Sequence, residues 1–357
     1  MDRTRATVAL LFGGRSGEHE VSLRSAVSVA AGLAARHDVA CVLVDKQGRW
    51  LLQEGPGPRA EGGEPVFVAP SPHDGGRLRR LADAREARRP DVYFPVLHGT
   101  YGEDGTVQGL LELAAVPYVG AGVAASAAAM DKEMMKALFA RAGLPQVEHR
   151  TLRSPRDARA EAALVAELGL PLFVKPANLG SSVGISKVKE AGALAPALDL
   201  AFRYDRKVVV ERGHDVREIE VSVLGNDRPE ASVPGEILPD REFYDYDSKY
   251  AADSRTGLAI PAPLDPALAA EAQRLAIAAF AAVDCAGFAR VDLFLERGTS
   301  RFLVNEINTI PGFTSISMYP KLWEASGLPY ESLLGRLVAL AFERHEARAR
   351  LVTDYRA

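Results

Sequence analysis

A loop rich in glycine and serine is the clearest chemical signal in this 357-residue sequence. The run KPANLGSSVGISK starts at Lys175, and Gly180, Ser181, Ser182 and Gly184 follow it. Glycines let backbone N–H groups approach phosphate oxygens, while the serine hydroxyls and the lysine add donors and positive charge. The run fits neither a P-loop, which places Gly-Lys-Ser/Thr before a helix, nor the dinucleotide fingerprint GxGxxG. A nucleotide site is therefore favoured over a flexible hairpin turn.

A second group of side chains has the chemistry of a magnesium site. Glu306 and Asn308 are two residues apart and share one face of a predicted strand, and Asp292 can face them from a neighbouring strand. Carboxylate and amide oxygens are ligands that Mg²⁺ accepts alongside nucleotide phosphates, and such charges are costly to bury without a cation. The alternative is a solvated strand face. Arg290 could stabilise an oxyanion or phosphoryl charge, or form a structural ion pair with Glu306.

Four further side chains are weak signals when each is taken alone. Glu18 lies in the turn GGRSGEHEVS, where it could hold a substrate ammonium group or simply favour the positive end of a helix. His98, in LHGTYGEDG, could contact a substrate or order its loop. Glu211 and Glu218 flank a polar turn and could accept hydrogen bonds from adenine and ribose, although each could equally be a surface carboxylate.

The elements that must position these residues alternate between strands and helices. In the first part of the chain, a strand–turn–helix–strand order indicates a parallel sheet covered by helices. Residues 53–80 are rich in Gly, Pro and Arg and predict irregular or short hairpin segments. A single helix is predicted over 124–142, with Met130-Asp131-Lys132 inside it. The predicted strands are 8–12, 39–44, 92–97, 116–119, 172–175, 185–188, 208–211, 218–224, 289–295 and 302–308, and the other helices are 21–36, 267–283 and 331–348.

Composition limits the classes of function. The formal net charge of −4 argues against a general polyanion binder, and 47% hydrophobic residues is ordinary for a globular protein. The two cysteines, Cys41 and Cys285, form no CxxC pair, which suits a reducing compartment. No apolar run approaches the roughly 18 residues of a membrane span. We therefore expect a cytoplasmic protein without nucleic-acid or membrane partners.

Taken together, the motifs resemble the D-alanine–D-alanine ligase family of the ATP-grasp superfamily. The matching runs are GGRSGEHEVS, LHGTYGEDG, MDK, KPANLGSSVG, FYDYDSKY, RVD and NEINTIPGFTSISMYP. They span nearly the whole chain, and the poorly matched region is about 50–90. The resemblance implies an α/β (α+β) fold of three domains. These are an N-terminal open parallel α/β domain at 1–122, a central domain with the GSSVG flap at 123–212, and a C-terminal domain with metal and acceptor sites at 213–357. ATP would lie between the last two.

The resemblance also implies roles for individual residues. The ATP-side residues are Lys132, Lys175, Ser182, Glu211, Glu218 and Asn305. The ligands of two Mg²⁺ ions, for which Mn²⁺ can substitute, are Asp292, Glu306 and Asn308. The catalytic residues around the two amino acids are Glu18, Ser181, Tyr250, Arg290, Gly312 and Ser317, and the further substrate contacts are His98 and Lys249.

The implied reaction joins two D-alanine molecules through a D-alanyl phosphate made from ATP. Relatives that make D-alanyl-D-lactate carry a histidine where Tyr250 stands, so Lys249-Tyr250 favours D-alanine as the acceptor. A D-alanine–D-lactate ligase, or another ATP-grasp carboxylate–amine ligase, is the alternative enzyme. A nucleotide sensor or scaffold is the non-enzymatic alternative, and the intact set of Asp292, Glu306 and Asn308 argues against it. We expect a homodimer.

Overall fold

The computed structural model describes residues 5–55, 57–153, 158–180, 183–238, 257–314, 316–352 and 354. Three β-sheets with covering helices make up this part of the chain. The predicted α/β class is confirmed, and most predicted strands and helices lie within two residues of the observed bounds.

The first sheet has seven strands in the order β6-β5-β4-β3-β2-β1-β7. Its centre is parallel, because β1 (Thr7–Gly13) pairs in parallel with both β2 (Asp38–Val44) and β7 (Val92–Pro95). Helix α1 (His19–Ala34) connects β1 to β2. The predicted strand at 116–119 is reduced to one bridge between Tyr93 and Tyr118. Four short antiparallel strands extend the sheet beyond β2: β3 (Trp50–Gln53), β4 (Glu64–Val68), β5 (Leu78–Arg80) and β6 (Glu86–Arg88).

The end of β1 shows how the sequence directs the chain toward the site. The strand is buried on both faces, as its unbroken apolar run predicts. Gly13 has φ +89°, and a Cβ there would lie 2.4 Å from the carbonyl oxygen of Val44. Only glycine permits this turn, which leads directly to Glu18 at the start of α1.

The second sheet has four antiparallel strands in the order β10-β9-β11-β8. Helices α5 (Ala158–Leu168) and α6 (Leu194–Phe202) pack against it through a small apolar cluster. Its strands are β8 (His149–Arg153), β9 (Leu172–Pro176), β10 (Ser186–Val188) and β11 (Lys207–Arg212).

The third sheet has the order β15-β14-β12-β16-β17, with β13 paired to β12, and all its described pairs are antiparallel. Helix α7 (Pro266–Ala282) shares an apolar cluster with its strands. The strands are β12 (Val216–Gly225), β13 (Glu230–Ala231), β14 (Gly235–Leu238), β15 (Gly257–Ala259), β16 (Gly287–Glu296) and β17 (Phe302–Asn308).

The single helix predicted over 124–142 is wrong in one respect. Two helices occupy the segment, α3 (Val123–Met130) and α4 (Lys132–Arg141). Asp131 separates them with an extended backbone, and its side chain accepts hydrogen bonds from the N–H groups of Glu133 and Met134. An aspartate in this capping geometry starts a new helix. Lys132 is consequently the first residue of α4.

The hydrophobic clusters cross the predicted domain boundaries. Phe12 and Leu33 of the first sheet and α1 share one cluster with Tyr319 and Leu334. These partners lie on α8 (Met318–Ala325) and α9 (Tyr330–Ala349), while α2 (Thr106–Leu113) packs on the other side of the first sheet. The division at 122 and 212 stays a prediction. None of the helices in the described part of the chain is long and apolar enough to cross a bilayer.

Candidate active site

A cavity of about 1070 Å³ is lined by strands of the second and third sheets, and by α1 and the segment that follows β7 of the first sheet. Every predicted site residue within the described ranges lines it: Glu18, His98, Lys132, Lys175, Glu211, Glu218, Arg290, Asp292, Asn305, Glu306, Asn308, Gly312 and Ser317. The other four, Ser181, Ser182, Lys249 and Tyr250, lie outside the described residues. The sequence motifs therefore converge in space, although the role of each residue stays a prediction.

The predicted metal ligands lie on two paired strands. Asp292 of β16 is directly opposite Glu306 of β17, and Arg290 is directly opposite Asn308. The Asn308 amide nitrogen donates to Asp292 Oδ2 at 3.0 Å, which leaves the amide oxygen as the atom for a cation. No cluster of three or more His, Cys, Asp or Glu side chains with metal-binding spacing occurs among the described residues. Two carboxylates plus an amide are nevertheless oxygen donors that fit Mg²⁺.

Arg290 is held by two carboxylates. Its Nε and a terminal nitrogen lie 2.6 and 2.7 Å from the two oxygens of Asp292, and Nε lies 3.0 Å from Glu220 Oε2. Burial disfavours the charged guanidinium, but Asp292 and Glu220 outweigh burial and raise the pKa of Arg290 well above its ordinary value. The arginine thus stays cationic beside the proposed metal ligands. Glu306, the ion-pair partner considered from the sequence, also raises the pKa of Arg290, with a smaller effect than Asp292 and Glu220.

A buried cluster of lysines surrounds Glu211. Lys175 Nζ lies 2.5 Å from Glu211 Oε2, and Lys136 Nζ lies 2.9 Å from Oε1. Burial alone would raise the pKa of Glu211, but Lys136 and Lys175 outweigh it and hold that pKa well below its ordinary value. Sequence reasoning missed Lys136. A signal was available, because Lys136 follows Lys132 by four residues and so shares its face of a helix.

Lys132 reaches from the start of α4 to the loop after β9. Its backbone N–H donates to the carbonyl of Ala177 at 3.0 Å, and its ammonium group donates to the carbonyl of Leu179 at 2.6 Å. Burial lowers the pKa of Lys132; Glu306 opposes this effect and the nearby Lys175 adds to it. The two ammonium groups of Lys132 and Lys175 repel each other. An anionic ligand between them, such as the phosphates of a nucleotide, would relieve this repulsion.

Glu18 lies against the start of the GSSVG loop. A Cβ on Gly180 would lie 2.8 Å from Glu18 Oε1, and one on Gly99 would lie 3.2 Å from the same atom. The carboxylate therefore lies close to two backbone segments. A side chain at Gly180 or at Gly99 would crowd it. Glu18 is also the N-terminal cap position of α1, so the helix-end interpretation from the sequence remains compatible with its position.

His98 and Glu103 connect the first sheet to the loop after β17. His98 is buried, with Nδ1 2.9 Å from the carbonyl oxygen of Ile310 and Nε2 3.1 Å from Ser25 Oγ. Glu103 accepts hydrogen bonds from the N–H groups of Gly99 and Ile310 at 2.8 and 3.3 Å. Burial and the charge of Glu18 raise the pKa of Glu103 to about 8. His98 thus contacts both the loop after β17 and the cavity, so both roles considered from the sequence remain predictions. Sequence analysis recognised the motif that contains Glu103 but did not single out this residue.

The loop that contains Gly312 is held compact by Ser317. The Thr314 N–H donates to Ser317 Oγ at 3.0 Å, and a Cβ on Gly312 would lie 2.8 Å from that oxygen. The N–H of Phe313 donates to Ser25 Oγ at 3.3 Å, which ties the loop to α1. Glycine at 312 therefore lets the backbone pass close to Ser317, and both residues face the cavity.

Two family models match the chain. The model described as D-ala D-ala ligase N-terminus matches residues 7–121, and the one described as D-ala D-ala ligase C-terminus matches residues 138–339. Together they cover most of the sequence, including every predicted site residue except Lys132.

Relatives and solved structures agree with these family models. A protein named D-alanine--D-alanine ligase from Heliobacterium modesticaldum is 51% identical over 98% of each chain. The structure of the D-alanine-D-alanine ligase from Coxiella burnetii superposes with a TM-score of 0.83 at 39% identity, covering 97% of each chain. The structure of the VanG D-Ala:D-Ser ligase from Enterococcus faecalis superposes with a TM-score of 0.84 at 34% identity. The superposition covers 94% of this chain and 99% of the VanG chain.

Proposed function

This chain belongs to the D-alanine–D-alanine ligase family, and we propose that it joins two D-alanine molecules with conversion of ATP to ADP and phosphate. The dipeptide is a precursor for peptidoglycan synthesis. The observation that carries the proposal is one cavity onto which Lys132, Lys175, the metal-ligand set and the Gly312 loop all open. The substrates are small molecules, D-alanine and ATP, and we place the protein in the cytoplasm.

The first step activates a carboxylate. Glu18 holds the ammonium group of the first D-alanine, whose carboxylate attacks the γ-phosphorus of ATP in line. Lys132 and Lys175 offset charge on the phosphoryl oxygens as the bond to ADP breaks. Asp292, Glu306 and Asn308 would hold divalent cations, which we assign as two Mg²⁺ with Mn²⁺ as a substitute. When bound, these ions would offset further phosphoryl charge. The product of this step is a D-alanyl phosphate.

The second step forms the peptide bond. The amine of the second D-alanine attacks the acyl carbon, and the carbonyl oxygen becomes a tetrahedral oxyanion. Arg290 and the N–H of Gly312 are the donors that we assign to this oxyanion. Collapse of the intermediate breaks the bond from the acyl carbon to phosphate, which leaves with the electron pair as the amine nitrogen loses its proton. Ser317 keeps the Gly312 backbone in place, and His98 and Glu103 hold the same loop from the other side through Ile310.

The nucleotide side is completed by Glu211, Glu218, Asn305 and Ser182. We place Glu218 at the ribose and Glu211 near the adenine. Because both oxygens of Glu211 contact lysines, we assign it a second task, which is to orient Lys175 toward the phosphates. Ser181, Tyr250 and Lys249 complete the substrate side on the basis of sequence alone.

Phosphate release with different acceptors tests the function directly. The enzyme with ATP, Mg²⁺ and D-alanine alone should release phosphate and yield a dipeptide that mass spectrometry identifies. D-serine, D-lactate and L-alanine are then offered as second substrates beside D-alanine, and mixed products are measured. ATP binding without phosphate release would favour the non-enzymatic alternative, a nucleotide sensor. A dominant D-alanyl-D-lactate or D-alanyl-D-serine product would contradict the assigned acceptor.

Tyr250→His is predicted to shift the acceptor profile toward D-lactate. Tyrosine at this position accompanies an amine acceptor in the family, whereas histidine accompanies a hydroxy-acid acceptor. The ratio of D-alanyl-D-lactate to D-alanyl-D-alanine, measured with both acceptors present, should rise in the variant. Tyr250→Phe is the control, because it removes the hydroxyl without adding an imidazole. An unchanged ratio in Tyr250→His would remove this residue from acceptor choice.

We also propose that the chain forms a homodimer. Sedimentation equilibrium at several protein concentrations would test this, and a monomer mass throughout would contradict it.

A further inference from the structure

Glu220 occupies a position beside the proposed metal ligands that the reaction described above does not use. In the pairing of β12 with β16, Glu220 is directly opposite Asp292, and Ser222 is opposite Arg290. Because residues directly opposite each other in paired strands lie on the same face of the sheet, Glu220 shares the face of Asp292. Its side chain is 10% exposed and its Oε2 lies 3.0 Å from Arg290 Nε.

Arg290 and a cation would compete for Asp292. Both Asp292 oxygens contact the guanidinium, at 2.6 and 2.7 Å. A divalent ion that binds this carboxylate must take at least one oxygen and repels the guanidinium by charge. Without another anionic partner, Arg290 would either resist metal entry or move away from the cavity, since a charge at low exposure needs a partner.

We propose that Glu220 is a positioning residue that retains Arg290 when a divalent cation takes over Asp292. The guanidinium is already shared between the two carboxylates, so transfer to Glu220 requires no large movement. Arg290 then stays beside the substrates as an oxyanion donor, and Asp292 is released to the metal. This inference rests on the proposed function, because it takes Asp292 as a metal ligand.

Metal binding without turnover tests the proposal. Mn²⁺ is titrated into the enzyme with saturating ADP, and free Mn²⁺ is measured by electron paramagnetic resonance against the same titration of ADP alone. Glu220→Gln should weaken Mn²⁺ binding about tenfold, because Arg290 then holds Asp292 more firmly. Glu220→Asp should weaken it similarly, because the shorter side chain keeps its charge but reaches Arg290 less well.

A double-variant comparison separates positioning from direct attraction. In an Arg290→Gln background, adding Glu220→Gln should change Mn²⁺ binding by less than about twofold, because the competitor for Asp292 is gone. Glu236→Gln is the matched control. Glu236 forms a similar bidentate pair with Arg217 in the same sheet, and its loss should leave Mn²⁺ binding unchanged. Thermal melts without metal confirm that each variant is folded.

The outcomes distinguish this proposal from the metal assignment. Asp292→Asn should lose most Mn²⁺ binding; unchanged binding there would overturn both the metal set and the role of Glu220. If Asp292→Asn binds Mn²⁺ weakly but Glu220→Gln binds it as the wild type does, only the role of Glu220 is overturned. A tenfold loss that persists in the Arg290→Gln background, with Glu220→Asp near wild type, would make Glu220 a direct electrostatic partner of the ion and also overturn the proposal.

Discussion

Replacing Glu306 by glutamine is expected to lower kcat for D-alanine-dependent phosphate release by about a thousandfold or more. Glu306 lies directly opposite Asp292 in the third sheet, and its charge acts on Arg290, Lys132 and Lys175. Glutamine keeps the size of the side chain but removes a full charge from the set that would bind Mg²⁺. The metal concentration for half-maximal activity should rise as well, because a neutral amide is a weaker ligand.

The fold should tolerate Glu306→Gln. Glu306 is half-buried and glutamine keeps its size, so we expect the free energy of unfolding to change by less than about 1 kcal/mol. Urea unfolding followed by circular dichroism measures this change. Glu324→Gln, an exposed carboxylate on α8, is the control and should keep full activity. Activity near wild type in Glu306→Gln would remove Glu306 from the metal set.

The paired strands β16 and β17 show what sequence could predict. The predicted bounds, 289–295 and 302–308, lie within two residues of those observed, and spacing by two placed Glu306 and Asn308 on one face. The pairing that sets Asp292 against Glu306 was an inference from proximity alone. Register depends on the turn at Gly298, which has φ +84°, and on an irregularity between Asp292 and Leu293.

The break at Asp131 shows why other features escaped prediction. The Ala- and Met-rich pattern over 124–142 favours one helix, and a local side-chain cap overrides that preference. The partnership of Lys136 with Glu211 joins positions 75 residues apart on different elements, so no local pattern reveals it. Residues that act through long-range ion pairs are thus visible only once the sheets are assembled.

The same limit applies to the loop after β17. The sequence motif placed Gly312 and Ser317 near each other, and their contact follows from four intervening residues. The bonds from His98 and Glu103 to Ile310 span more than 200 residues. They form because the first sheet and the C-terminal helices share one hydrophobic cluster, which brings the loop against α1. The contact between His98 and Ile310, which no local pattern indicates, follows from that packing.

Glu211→Gln is expected to destabilise the protein by about 3 kcal/mol or more at neutral pH. The carboxylate is 2% exposed and separates two buried ammonium groups, those of Lys136 and Lys175. A neutral amide removes the one carboxylate that contacts both cations, and breaking a buried pair on one side costs more than losing a surface pair. ATP affinity should fall as well, because Lys175 loses the group that orients it.

The dependence of this loss on pH identifies its cause. The folded-state pKa of Glu211 lies below its unfolded value, so its stabilisation is present above about pH 4.3 and is lost as the pH falls through the folded value. Urea unfolding should give a constant difference between wild type and Glu211→Gln from pH 8 to about 5, and a smaller difference below that. Glu148→Gln is the control, because this exposed carboxylate pairs with His214 at the surface and should contribute no more than about 1 kcal/mol. A loss in Glu211→Gln as small as that of the control would show that the two lysines do not depend on Glu211 for their charge.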